Sequence, residues 1–422
     1  MNLRRLAALL PVLTLCALPV CAHAAGSTFN VEQATRAWLD TIPAEAKARS
    51  NAYYEGGYWL QLAELIYTLA LSWLFLRGRL SAQLRNNAER LTRRQPLQSM
   101  AYAVQYIVLA SLLSLPLTWY SSFWREHAYG MSNLSLLDWG LDAIKEMLVG
   151  IVFFAPAMAA VWGAIRRAPK TWWLWGSGIA TLVLIISSVL GPVFIAPLFN
   201  DYKPLADGPI RSEILSLARA NQVPATEVYE FNASRQTKRV SANVSGFMGT
   251  ERISLNDNLL KRTSPAEIRA VMGHEIGHYA LNHVYKHLLT FTVLIVIGFA
   301  LTRLAMNRLI ARHGARWGLR GVGDVAAYPL LAAVFSVLAF IGTPIINTVV
   351  RIAEFEADLY GLNAAREPDG FAQAAVRLAE YRKMEPSAWE EFIFYDHPSG
   401  RTRIHTAMQW KAEHLKEGTA QP

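Results

Sequence analysis

The sequence predicts a mainly α-helical protein that crosses a membrane several times and carries one small α+β region. Three observations predict it. The 422 residues are 53% hydrophobic and only 17% charged, which excludes disordered and collagen-like chains. Mean hydropathy is +0.19, and the apolar excess is gathered into six stretches, at about 58–76, 99–118, 147–165, 172–197, 287–304 and 326–349. Each approaches or exceeds the roughly 20 residues a helix needs to cross a bilayer core. The long polar stretches 198–286 and 350–422 each follow an even number of these spans, so they share one face of the membrane.

Taken in order, residues 1–24 have Arg4 and Arg5, an apolar run from Leu6 to Val20, and then Ala22-His23-Ala24. That is the design of a secretory signal peptide, or of an uncleaved signal anchor. Both cysteines, Cys16 and Cys21, fall inside it. The rest of the chain has no thiol, so disulfides, cysteine metal sites and thiol nucleophiles are excluded there.

Residues 25–197 form an N-terminal transmembrane region. Its loops explain the formal charge of +9 without nucleic acid, because basic residues gather beside spans where anionic lipids attract them. Loop 77–98 holds Arg77, Arg79, Arg85, Arg90, Arg93 and Arg94; loop 166–170 holds Arg166, Arg167 and Lys170; loop 305–325 holds Arg308, Arg312, Arg316 and Arg320. Loop 119–146 has only Arg125 and Lys145 against four acids. With Arg4 and Arg5, these signals place the three basic loops inside a bacterial inner membrane and both polar regions in the periplasm; a cytoplasmic face is the alternative.

In the first polar region, 198–286, residues 240–246 and 252–255 alternate like strands, with Gly249 between them as a turn. Ser264-Pro265-Ala266-Glu267 reads as a helix start, with Ser at the N-cap, Pro at the first helical position and Glu at the third. Two spans occupy 287–349. Region 350–422 reads as helical segments broken at Pro368-Asp369-Gly370 and at His397-Pro398-Ser399-Gly400.

The helix after Ser264 carries His274-Glu275-Ile276-Gly277-His278. Histidines four apart share a helical face and can bind one zinc ion. Glu275 is placed to take a proton from an attacking water and pass it to a leaving amine. Gly277 leaves room for another backbone to pack close. A catalytic site wants a third protein ligand, and Glu354, in Arg351-Ile352-Ala353-Glu354-Phe355-Glu356-Ala357-Asp358, is the best candidate. Asp358 lies four residues on and shares its face, as a partner for a ligand histidine.

Together these motifs resemble the integral-membrane zinc metalloproteases of the CAAX prenyl protease 1 type. So does Gly191-Pro192-Val193-Phe194-Ile195-Ala196-Pro197-Leu198-Phe199-Asn200, which closes a span ahead of the catalytic region. The likeness runs from about Lys47 to Arg403. It implies a multi-pass helical barrel enclosing a chamber, with a peptide substrate paired to an edge strand beside the zinc. It carries zinc ligation to His274, His278 and Glu354, the general base to Glu275, and support to Asp358. His397 and Arg403 match a His-Pro and following Arg that assist the oxyanion or the substrate backbone. At the edge strand, Ser241-Ala242-Asn243 departs from the family's Asn-Ala-aromatic, so either the Ser241 hydroxyl or Asn243 serves there.

His283 and His287 are expected to be satisfied interfacial histidines. Glu64 lies within a span, where a charge marks a membrane edge, a chamber lining or a function. Trp59, Trp119, Trp172, Trp173 and Trp175 sit at span ends as an interfacial belt. The expected activity is zinc-dependent endopeptidase cleavage of membrane-associated or hydrophobic polypeptides. Its rival is a non-catalytic transporter or assembly factor with a structural zinc, for which the base Glu275 would be superfluous.

Overall fold

The structure, a computed structural model, describes residues 29–246 and 251–414. The signal or anchor segment read over 1–24, and the turn at Gly249, lie outside them. Fifteen α-helices and four strands succeed one another among the described residues. α1 (Val31–Asp40) leads into α2 (Ala44–Arg77), α3 (Leu80–Leu91) and α4 (Gln95–Trp119). One wide turn at Tyr120–Trp124 joins α4 to α5 (Arg125–Ala128), and α6 (Leu136–Arg167) and α7 (Trp172–Leu190) follow. Then come β1 (Tyr202–Pro204), α8 (Pro209–Ala220), β2 (Val228–Phe231), β3 (Ala242–Ser245), β4 (Arg252–Asn256), α9 (Asp257–Arg262) and α10 (Pro265–Ala280). The chain finishes with α11 (His283–Trp317), α12 (Tyr328–Ala365), α13 (Pro368–Arg377), α14 (Ala388–Phe394) and α15 (Gly400–His414).

All six expected spans are present as helices long and apolar enough to cross a membrane: α2, α4 with α5, α6, α7, α11 and α12. They overshoot the apolar stretches. α11 is continuous across 286–287 and α12 across 349–350, so wall and catalytic region share the same rods.

The six helices form a ring. α2 packs on α4, α4 on α6, α6 on α7, α7 on α11, α11 on α12, and α12 returns to α2. The ring is hollow. A helix that buries one stripe in a solid core hides a sector of about 100°, over a quarter of its surface. Here the apolar windows hide between 0% (α7) and 22% (α6) of their residues, because one face meets lipid and the other the enclosed chamber. α2 shows the division. Trp59, Ile66 and Trp73 are 73%, 58% and 64% exposed and recur every seven residues on the lipid face. Glu64 lies about 160° around the helix from them, with Gln61 and Thr68, on the chamber side.

At one end of the ring the three basic loops meet. Arg85 pairs with Asp324 and donates to the Gly318 carbonyl at 3.1 Å. Arg320 donates to Glu89 at 3.1 Å, and Arg166 to the Ser99 hydroxyl at 3.3 Å. Trp172 corrects the belt expected from sequence: it is fully buried and packs edge-on against Phe299 of α11, forming core where α7 starts. Trp59 and Trp175 remain exposed.

The opposite end holds the sheet, of order β1-β2-β4-β3. β2 and β4 run parallel, while β1 and β3 flank them antiparallel. β3 is therefore an edge strand. Its sheet packs Ile253, Leu255 and Ala242 against Ile268, Met272 and Ile276 of α10. The predicted start of α10 holds: Ser264 caps it, Pro265 opens it, and Ser264 and Glu267 form a reciprocal capping box.

Candidate metal centre and catalytic cavity

The site is made by α10 and α12 approaching at backbone contact. A Cβ on Gly273 would lie 2.9 Å from the Gly361 carbonyl oxygen, and one on Gly277 3.2 Å from the Ala357 Cα. Small residues four apart on both helices interleave, Gly273 and Gly277 against Ala357 and Gly361. That approach carries Glu354 and Asp358, on the same face of α12, up to the histidines of α10.

Three donors converge. His274 Nε2 and His278 Nε2 are 3.1 Å apart, and Glu354 lies 3.3 Å from each, through Oε2 to His274 and Oε1 to His278. Among the described residues this is the group of three that could hold a metal ion. Bonds of about 2.0–2.1 Å at tetrahedral angles put neighbouring donors about 3.3 Å apart, which is the spacing found. Glu354 Oε2 is buried without a hydrogen bond.

The rings are also in the right tautomer. His274 Nδ1 is 2.7 Å from Asp358 Oδ1, so its proton sits on Nδ1 and Nε2 presents a lone pair. His278 Nδ1 is 2.9 Å from His283 Nδ1, and His283 Nε2 is 3.0 Å from Glu356 Oε2, which also accepts from Lys286 at 2.8 Å. Glu356 takes the His283 proton on Nε2, so His283 Nδ1 accepts from His278, whose Nε2 is again a bare lone pair. Two lone pairs and a buried carboxylate facing one another call for a cation. Burial works against charge on His274, yet Asp358 and Glu354 outweigh it and push its pKa up to about 10. A metal ion answers the same demand as that proton.

His283 is the site residue that sequence reasoning missed. It was expected as an interfacial histidine at a further turn of the same helix. Instead α10 ends at Ala280, and Asn282 takes a left-handed conformation (φ +57°) before α11 starts. The reversal brings His283, 1% exposed, back onto His278. Asn tolerates that conformation better than most residues, but an Asn alone does not announce it.

The remaining predicted residues surround one cavity of about 260 Å³. Val271, His274 and Glu275 face it from α10, Ala242 from the edge strand and Ser241 from just before it, and Glu354, His397 and Arg403 from beyond. Asn243 is not among its lining. Burial pushes the Glu275 carboxyl up, while the His274 and His278 charges pull it back. His397 presents Nε2 3.2 Å from Glu354 Oε2, and its Nδ1 is 2.8 Å from Asp396 Oδ1. Arg403 gives Nε to Asp358 Oδ2 at 2.9 Å and a second nitrogen to Oδ1. Its Nε and one Nη are thus engaged by Asp358 behind His274.

Comparison with known proteins finds relatives along most of the chain. Residues 204–411 match peptidase family M48, and residues 30–201 match the CAAX prenyl protease N-terminal family of five membrane helices. The metalloprotease YhfN of Bacillus subtilis is 31% identical over 313 residues, covering 74% of this chain and 73% of its own length. A CAAX prenyl protease 1 homologue of Oryza sativa subsp. japonica is 27% identical over 359 residues, 83% of this chain and 82% of the relative. The crystal structure of S. mikatae Ste24p covers 90% of this chain and 94% of its own at TM-score 0.74 and 22% identity, a likeness of fold.

Proposed function

The chain belongs to peptidase family M48, and on that premise we propose that His274, His278 and Glu354 hold one zinc ion, with Glu275 as the general base of peptide hydrolysis. The protein is a membrane metalloendopeptidase; the non-catalytic alternative is not favoured. One observation carries the residue assignment: three donors 3.1–3.3 Å apart, with the far nitrogen of each imidazole already committed.

When bound, zinc supplies a Lewis acid that polarises the scissile carbonyl. The chain's own residues do the rest. A substrate strand adds to the free edge of β3 through backbone hydrogen bonds, which lays it along Ser241 and Ala242 and across the cavity. Glu275 takes the proton of the attacking water and delivers it to the leaving amine; a carboxyl raised by burial suits both transfers. His397, held through Nδ1 by Asp396, borders the place where the oxyanion develops and helps to shape it. Ser241 borders the reacting centre and supplies a hydroxyl there, in preference to Asn243. Asp358, braced by Arg403, and His283, braced by Glu356, fix the ligand rings.

The substrate class is membrane-associated or hydrophobic polypeptide, admitted through the chamber wall. The relatives named CAAX prenyl proteases do not extend a prenylated substrate to this chain. The basic end lies opposite the site, which supports a bacterial inner membrane with the site in the periplasm; a cytoplasmic face is the alternative. The test uses purified full-length protein: zinc per chain, and cleavage of an unstructured fluorogenic peptide with and without chelator. The expected result is one zinc per chain in wild type and in Glu275→Gln, with hydrolysis at least about a hundred-fold lower in the variant and abolished by chelator. Hydrolysis surviving Glu275→Gln would overturn the assignment.

A further inference from the structure

We propose that Arg382 is an anion subsite of the catalytic cavity and binds a carboxylate of the substrate, either the C-terminal carboxylate of a peptide or an acidic side chain. The proposal rests on the reading of this cavity as the peptide-binding site.

Three guanidinium groups border the cavity: Arg377, Arg382 and Arg403. Two are already paired. Arg403 spans both oxygens of Asp358, and Arg377 spans both oxygens of Glu267. Arg382 has neither a carboxylate within 4.0 Å nor a side-chain hydrogen bond among the described residues. Asp396 lies within reach of its field, but that carboxylate is turned to His397 Nδ1 at 2.8 Å. The cavity's own acids, Glu275 and Glu354, belong to the metal centre.

The backbone that carries Arg382 is nevertheless held in place. Its backbone N–H donates to the Leu378 carbonyl at 2.8 Å, and its carbonyl accepts from the Ser50 hydroxyl of α2 at 2.8 Å. The side chain is half-buried, beside Tyr54 and Tyr381, and the adjoining walls are the apolar Val271, Phe371, Ala375 and Leu378. A half-buried guanidinium with no protein acceptor keeps its N–H groups available, and a carboxylate arriving with the substrate gives it charge-assisted, two-point hydrogen bonds. An apolar segment that carries or ends in a carboxylate therefore fits this cavity better than its neutral counterpart.

The experiment measures binding in Glu275→Gln full-length protein, so that turnover does not enter. The probes are three fluorescein-labelled apolar hexapeptides: one with a free C-terminus, one amidated, and one amidated with Glu replacing an internal Gln. The free-acid or the Glu peptide is expected to bind roughly ten-fold or more tightly than the neutral amide, and whichever does so identifies the source of the carboxylate. Arg382→Gln is expected to bring that ratio close to one, and Arg382→Lys to restore most of it. A parent ratio near one, an unchanged ratio in Arg382→Gln, or failure of all three peptides to bind overturns the proposal. Failure of the catalytic reading shows elsewhere, as wild-type hydrolysis that ignores chelator or survives Glu275→Gln.

Discussion

The two ends of the helical ring each bring buried charges together, and they treat them oppositely. At the loop end the buried pair is answered: Arg85 has Asp324 and the Gly318 carbonyl, and Asp324 also accepts the backbone N–H groups of Arg320 and Ala326 at 2.9 and 3.0 Å. At the site end, among the described residues, Glu354 Oε2 lacks a hydrogen bond, two imidazole lone pairs face each other, and Arg382 has no counter-ion within 4.0 Å. A structural cluster completes its own hydrogen bonding, while a functional one leaves groups open for what it binds.

Breaking the closed cluster has the largest expected effect on the fold. Asp324→Asn leaves Arg85 buried without its partner and costs about 3–5 kcal/mol, read as a lowered thermal midpoint in detergent, with zinc content unchanged in the folded fraction. His283→Ala probes the open cluster. Removing the acceptor of His278 Nδ1 weakens zinc affinity about 10–100-fold and leaves the thermal midpoint of the metal-free protein less affected than Asp324→Asn does; a chelator-competition titration checks it. A smaller effect sharpens the comparison from within the site end, where Glu267 is fully buried and answered like Arg85. Burial opposes its ionisation, yet Arg377 and the Ser264 cap hold its carboxyl below the usual range. Its stabilisation is therefore fully present above the unfolded pKa of about 4.3 and is lost as pH falls through the lower folded value. Between about pH 5 and pH 3, the midpoint of wild type should fall more steeply than that of Glu267→Gln.

The spans were legible because hydropathy is summed over about twenty residues and tolerates local irregularity. The start of α10 was legible because its cap, proline and glutamate act within one turn. The three basic loops were placed on one side by the count of spans together with their charge, and they do meet. Sequence could not reach contacts set by tertiary approach. His283 became a partner of His278 only through the left-handed Asn282. Trp172 became core only because α7 lies on α11. Arg403 was expected at the oxyanion or the substrate backbone, and the structure sets its guanidinium against Asp358, from a helix 45 residues further along the chain. Gly277 was the exception, since a glycine beside a ligand histidine already implied a close neighbour.

α12 is one helix of 38 residues with Pro344 inside it, about 57 Å long at 1.5 Å per residue. Its first half is ring wall against α2 and α11, and Glu354 stands about 15 Å beyond the proline. The wall stave thus runs on into the site, and the longer arm, beyond the proline, carries Glu354, the proposed third metal ligand. A displacement of this stave would carry with it the Glu354 carboxylate, whose oxygens lie 3.3 Å from His274 Nε2 and His278 Nε2. Wall and site are thereby cut from one continuous helix, so the position of the carboxylate is set by how this stave seats against α2 and α11.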